Sequence, residues 1–157
     1  MSGKEIFVVA VGKLKDAHLR LLEEEYLKRI YSPRLVLSEI KSVQEDRERE
    51  SQAVLIKIKE LCSGRSPYLL LLSENGTCLD SNRFARKIFS LLEEKGQNQQ
   101  IIFIIAGAHG PTSQLLSSAN ELISLSPLTL PHRLARLILI EQIYRAQTIH
   151  YGHPYHH

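Results

Sequence analysis

Apolar and polar positions along the chain switch between two periods. Residues 6–11 (IFVVAV) form an unbroken apolar run that stops at Gly12, the pattern of a strand covered on both faces. From Asp16 onward, Leu19, Leu22, Tyr26, Leu27 and Ile30 recur at helical spacing. Asp16 is the expected N-cap and Ser32-Pro33 the expected stop. Leu35, Leu37 and Ile40 then alternate as a strand with one less buried face. Residues 42–51 carry both charge signs and read as a solvated loop or helix start, leading into a helix over 53–61. Residues 68–72 (YLLLL) predict another buried strand, followed by a turn over 73–77 with Asn75-Gly76 at its tip. Asp80 or Ser81 caps a helix through Phe84, Ile88, Leu91 and Leu92, and Gly96 closes it. Residues 101–105 (IIFII) are a third buried strand, running into Ala106-Gly107-Ala108-His109-Gly110 and then Pro111, expected in the first turn of a short helix. Residues 123–130 are short and interrupted by proline. The last helix, from 133 to about 150, is apolar around most of its circumference, which predicts burial on several sides and suggests a subunit interface.

Strand–helix alternation of this kind implies an α/β fold, a mostly parallel sheet with helices on both faces. No repeat or linker interrupts it, so residues 1–157 are expected to form a single domain. Hydrophobic residues at 43% and charged residues at 24% support a packed core and exclude a disordered or collagenous chain. No window approaches the roughly 18 apolar residues of a membrane span. The N-terminus lacks the pattern of a secretory leader, so a cytoplasmic location is expected. A net charge of +3 permits a nucleic-acid partner without requiring one. Cys62 and Cys78 have no neighbouring ligands and read as reduced thiols. Four of the seven histidines (His150, His153, His156 and His157) crowd into the last eight residues, which composition does not explain.

In open parallel sheets, ligands bind beyond the carboxyl ends of the strands. Three segments end that way: Leu72 into Ser73-Glu74-Asn75-Gly76, Ile105 into Ala106-Gly107, and the stretch 123–130. Gly107 and Gly110 would let backbone approach a ligand closely, although their spacing fits neither G-x-G-x-x-G nor a Walker loop. An ordinary strand-to-helix turn is an equal reading. Pro127 and Pro131 remove ladder donors, so this segment offers free backbone groups that could read an adenine ring while Leu125, Leu128 and Leu130 pack on it. An edge strand leading into a helix is the plainer alternative. No nucleophile elbow or Cys-His pair is evident. Gly152 and Pro154 break up the histidine tail, so no metal site is predicted. Glu141 and Arg145 stand at i,i+4 on the apolar helix, where a partly buried Arg would meet a carboxylate or a phosphate.

Several stretches carry a resemblance: 9–15 (VAVGKLK), 104–110 (IIAGAHG), 125–132 (LSPLTLPH), 140–146 (IEQIYRA) and 153–156 (HPYH). Across its whole length the chain resembles the RlmH (YbeA) family of small SPOUT-class methyltransferases, which modify N3 of a pseudouridine in bacterial 23S ribosomal RNA. The resemblance implies a SPOUT-type α/β fold with a deep C-terminal trefoil knot. It implies S-adenosylmethionine as cofactor, held by Leu72, Ala106, Gly107, Leu125, Ser126, Pro127, Leu128, Thr129 and Leu130. It also implies a homodimer acting on the ribosome, with no metal, DNA or membrane partner. Pseudouridine N3 carries a proton that must leave before or during attack, and His132, Arg145, Tyr155 and His156 are the expected catalytic residues. The family usually has Gly-Gly where this chain has Ala106-Gly107, so the alanine methyl is expected to crowd the cofactor. Two other readings stand beside this one. A ribosome-associated RNA-binding module with weak or lost catalysis is favoured by Ala106, and a metal-binding protein only by the tail. His157 reads as surplus to the tail motif.

Overall fold

In the computed structural model, which describes residues 4–156, five parallel strands form one sheet in the order β2-β1-β4-β3-β5. The strands are β1 (Glu5–Val11), β2 (Arg34–Ile40), β3 (Ser66–Cys78), β4 (Gln99–Ile105) and β5 (Glu121–Ser124). The helices are α1 (Ala17–Arg29), α2 (Arg47–Cys62), α3 (Ser81–Glu94), α4 (Ser113–Ser118) and α5 (His132–Tyr151). The readings of the first three residues and of His157 lie outside the described residues.

Apolar alternation splits the core into two layers. Ile6, Val8 and Phe103 face Phe84, Ile88, Leu139 and Ile143 on the α3 and α5 side, with Tyr26 and Leu27 of α1 packed against them. Phe7, Val9, Ile102 and Ile104 face Val54 and Ile58 of α2 and Leu115 of α4. Because every strand is parallel, all five carboxyl ends reach the same edge of the sheet. That edge carries the candidate site.

Asp16 caps α1 as expected, accepting from the N–H groups of His18 and Leu19. The helix stops at Arg29, before Ser32-Pro33, because buried Gln147 takes over. Its amide accepts from Tyr31 and Ser32 and donates to Arg29 O. Helix α2 begins inside the charged segment, at Arg47 with Asp46 as its cap. Pro111 sits just outside α4, whose N-cap is Thr112. Helix α5 already buries Leu137, Leu139, Ile140, Ile143 and Ala146 within its own chain, against α1, α3 and the sheet. Its apolar circumference therefore needs no second subunit to explain it.

The expected turn over 73–77 is absent. Strand β3 runs on to Cys78, and Leu72 and Thr77 both stand opposite Ile123 of β5. The intervening residues bulge away from the ladder and return, bringing Gly76 hard against the β5 backbone. A Cβ at position 76 would lie 2.5 Å from Leu122 C and 2.6 Å from Ile123 N. After β3, the edge-strand reading holds only for the start of its segment: β5 is an edge strand whose pairing ends at Ser124, and residues 125–131 are a loop that leads into α5.

The β3–β5 edge is also tied by side chains. Tyr68 donates to Glu121 Oε2 at 2.7 Å, and Lys87 pairs with the same carboxylate. Burial first, then the Glu121 bond and charge, push the Tyr68 phenol up to about 12. A proton held more tightly in the folded state contributes stability below the unfolded pKa, which is lost as pH rises through the folded one. Stability should therefore fall between pH 10 and about 12. Phenolate absorbance should show a late-ionising component that Tyr68→Phe removes, and an unchanged titration curve in that variant would refute the assignment.

Candidate active site

A cavity of about 580 Å³ opens where β3, β4 and β5 end. Leu72 and the 73–75 bulge form one wall, and Ile105, Ala106 and Gly107 form another. Leu125, Ser126, Leu128, Thr129 and Leu130 line the cavity from the loop after β5, and His132 and Ala135 of α5 complete it. Pro127, expected with them, does not line it. The loop is braced internally: Ser124 Oγ donates to Ser126 O at 2.8 Å, and Ser126 Oγ accepts from Leu128 N–H at 3.0 Å. Leu128 is 72% exposed, an apolar side chain held in the mouth of the cavity.

Behind the Ala106-Gly107 wall stands Glu50, in the first turn of α2 and only 4% exposed. Its Oε2 accepts from Ser42 Oγ at 3.0 Å and Val43 N–H at 2.9 Å. The next residue, Ser51, accepts from Thr112 N–H, so α2 braces both ends of the segment 107–112. A Cβ on Gly107 would lie 2.8 Å from Glu50 Oε1 and 3.1 Å from Val11 Cγ1. Position 106 carries a methyl group and still lines the cavity. The tight position of the pair is thus 107, where this chain keeps glycine.

At the carboxyl end of β1, Arg136 of α5 forms a buried ionic cluster. Its Nε and Nη2 each donate to Glu23 at 2.7 Å, and Nη1 donates to Glu39 at 2.6 Å. Burial opposes the Arg136 charge, but the bonds to Glu23 and Glu39 outweigh it and hold the proton above its ordinary pKa. Glu39 also accepts from Leu14 N–H, so the cluster anchors the loop after β1 beside His132.

The expected catalytic residues fall in two places. His132 lines the cavity. Arg145 stands farther down α5, ten residues or about 15 Å of helix beyond Ala135, and Tyr155 and His156, in the 3-10 turn Pro154–His156 after the helix, pack back against it. There Arg145 donates twice to Glu141 Oε1 and lies over the Tyr155 ring, 4.9 Å from its centroid. Arg145 Nη1 is 3.3 Å from His156 Nδ1, and since a guanidinium only donates, the imidazole nitrogen is the acceptor of this pair. Burial first, then the Tyr26 hydroxyl and Glu141, raise the Tyr155 phenol well above its ordinary value. In this arrangement Tyr155 holds its proton and is a hydrogen-bond donor rather than a base. Two other tail histidines pack on aromatic rings: His150 stacks on Phe89 with centroids 3.6 Å apart, and His153 meets Tyr151 edge-on.

Residues 5–156 match the family model described as predicted SPOUT methyltransferase. The chain belongs to the SPOUT methyltransferase family. It is 42% identical over 149 residues to the Ribosomal RNA large subunit methyltransferase H of Prochlorococcus marinus (strain NATL1A), covering 95% of this chain and 93% of that one. The same name belongs to a relative from Synechococcus sp. (strain CC9902), 38% identical over 95% of this chain and 94% of its own. Among solved structures, the probable methyltransferase from Bordetella pertussis Tohama I superposes with a TM-score of 0.53 at 13% identity, over 91% of this chain and 93% of that chain. The SpoU methyltransferase AviRb from Streptomyces viridochromogenes, solved in complex with the cofactor AdoMet, gives 0.50 at 11% identity, over 94% of this chain and 59% of that longer one. These two likenesses establish the α/β architecture.

Within this SPOUT fold, sequence reasoning missed Glu50, Arg136 with its two carboxylates, and the wall built by the β3 bulge. Glu50 did carry a signal. It stands four residues before Val54, eight before Ile58 and twelve before Cys62, on the stripe that α2 buries.

Proposed function

We propose that this SPOUT protein is an S-adenosylmethionine-dependent methyltransferase acting on N3 of a pseudouridine in large-subunit ribosomal RNA, as a cytoplasmic homodimer on the ribosome. The cavity at the carboxyl ends of β3, β4 and β5 carries this reading. Its volume is that of a small-molecule site, and apolar Leu72, Leu125 and Leu130 alternate with polar Ser73, Ser126 and Thr129. That mixture suits a nucleoside with a polar amino-acid tail, and the close approach of backbone at Gly107 suits it further. When bound, S-adenosylmethionine supplies an already activated methyl group, so the protein's task is alignment and proton management.

In this reading His132, which lines the cavity, takes the N3 proton. Arg145 would stabilise the negative charge developing on the base, with Tyr155 and His156 donating hydrogen bonds beside it. Within one chain these three lie too far from the cavity to share a substrate with His132. A second copy that brings its tail to this cavity resolves the separation, and exposed Leu21, Leu22 and Leu134 offer it apolar surface. The deep trefoil knot belongs to the same reading. The alternative of a non-catalytic RNA-binding module rests on Ala106, whose methyl group is part of the cavity wall.

Mass spectrometry of ribosomal RNA from cells lacking the protein should show one pseudouridine without its N3 methyl, restored by complementation. Unchanged RNA would sink the proposed activity. Removing residues 153–157 should spare S-adenosylmethionine binding by calorimetry and abolish methyl transfer. Normal methylation by the shortened protein would overturn the roles of Tyr155 and His156.

A further inference from the structure

Glu50 is the buried group that the proposed mechanism leaves unused. Its Oε2 is fully engaged by Ser42 and Val43, while Oε1 has no hydrogen-bond partner among the described residues. No Lys, Arg or His nitrogen comes within 4 Å of the carboxylate among those residues. A buried acceptor oxygen left without a partner is costly, which singles this carboxyl group out from the other acids of the fold. The unpartnered oxygen lies where a side chain of residue 107 would be, and Gly107 itself lines the cavity. One glycine backbone therefore separates the carboxylate from the ligand space. The acid that does line the cavity, Glu74, is exposed on the bulge, where solvent screens its charge.

We propose that Glu50 is the counter-charge of the site: it acts through the Gly107 backbone to favour a cationic nucleoside over a neutral one of the same shape. This rests on the cofactor reading above. S-adenosylmethionine carries two cations, a sulfonium and an α-ammonium; S-adenosylhomocysteine keeps only the ammonium, and 5′-methylthioadenosine has neither. A carboxylate one backbone away from the ligand space weights binding toward a cation, and S-adenosylhomocysteine, which keeps the shape of S-adenosylmethionine save for the methyl group and its charge, separates charge from shape at the sulfur. Gly107 has a matching part, since any side chain there would push the carboxylate away from the cavity.

The test is calorimetry of these three ligands with the wild-type protein and with Glu50→Gln, which keeps the shape and an acceptor for Ser42 and Val43. The expected result is a loss of about tenfold for S-adenosylmethionine, with methylthioadenosine changed by less than about twofold. S-adenosylhomocysteine following S-adenosylmethionine assigns the ammonium as the cation sensed, and following methylthioadenosine assigns the sulfonium; either supports the proposal. Equal loss for all three ligands, or no loss for any, overturns it. A selective loss in Glu74→Gln without one in Glu50→Gln overturns it as well. Should Glu50→Gln not fold, as judged by circular dichroism and melting, Glu50→Asp retains the charge. That variant must keep the wild-type preference for S-adenosylmethionine over methylthioadenosine, and losing it overturns the proposal. A wild-type protein that binds none of the three ligands refutes the cofactor reading instead.

Discussion

Replacing Arg136 with alanine is expected to lower the stability of the fold by about 3–5 kcal/mol, the usual cost of breaking a buried ion pair from one side. The guanidinium is 6% exposed and satisfies both oxygens of Glu23, which is itself 4% exposed. Its removal leaves the Glu23 carboxylate buried with no cation, and a cavity where the side chain lay. Urea unfolding at neutral pH measures the loss. A change below about 1 kcal/mol would show that solvent reaches Glu23 and that the cluster is not a structural centre. Arg136→Met combined with Glu23→Leu should recover much of the loss, because exchanging both partners for apolar groups removes the stranded charge. The variant also has a local effect. Glu39 and Gly12 lose their bonds to Arg136, freeing the loop after β1 beside His132. Arg136→Ala should consequently impair methyl transfer more than it impairs cofactor binding.

Gly76→Ala is expected to cost at least about 3 kcal/mol, at the upper end for overpacking, because the added methyl meets backbone rather than side chain. Its three nearest neighbours would be Leu122 C, Ile123 N and Ile123 C, at 2.5, 2.6 and 2.7 Å. None of these atoms can rotate aside as a side chain would, so β5 must separate from β3 or the bulge must lift. Either movement displaces Ser73–Asn75 from the cavity wall. Ligand affinity should fall together with the urea midpoint, and calorimetry with S-adenosylmethionine reads the first of these. A variant with wild-type stability would mean that the bulge is free to move and that the crossing at Gly76 is not fixed.

The regular part of the fold was legible because burial wrote it directly into the chain. The strands 6–11, 68–72 and 101–105 are apolar on both faces, as parallel strands between helix layers must be. The three strand ends singled out from the sequence do meet at one cavity. The β3 extension was not legible, since Asn75-Gly76 between polar residues has the composition of a tight turn. Only the β5 backbone, about 45 residues later, explains why glycine is required at 76. The buried charges were half legible. Glu23 interrupts the Leu19–Leu27 spacing in α1, Glu50 heads the stripe of α2, and Arg136 interrupts the apolar run of α5. A charge in line with apolar neighbours at a spacing of four marks a buried ion. What it pairs with depends on other elements and cannot be read from one helix. The separation of Arg145, Tyr155 and His156 from His132 depends on the length of α5, which the sequence stated but which only the position of the cavity made meaningful.

The double use of Ile123, opposite both Leu72 and Thr77, bears on how the molecule assembles. Strand β5 is only four residues long and sits at the edge, joined to a strand some 50 positions earlier in the chain. An edge strand of four residues with a single paired neighbour is the least secured part of the sheet, so its docking is expected to come last. The cavity walls come from the bulge of β3 and the loop after β5, so the binding site does not exist until that final docking is complete. Ligand thus recognises only fully assembled molecules and stabilises them by mass action. In a refolding experiment, recovery of binding should trail recovery of helical signal, making the cofactor a reporter of the last step of folding.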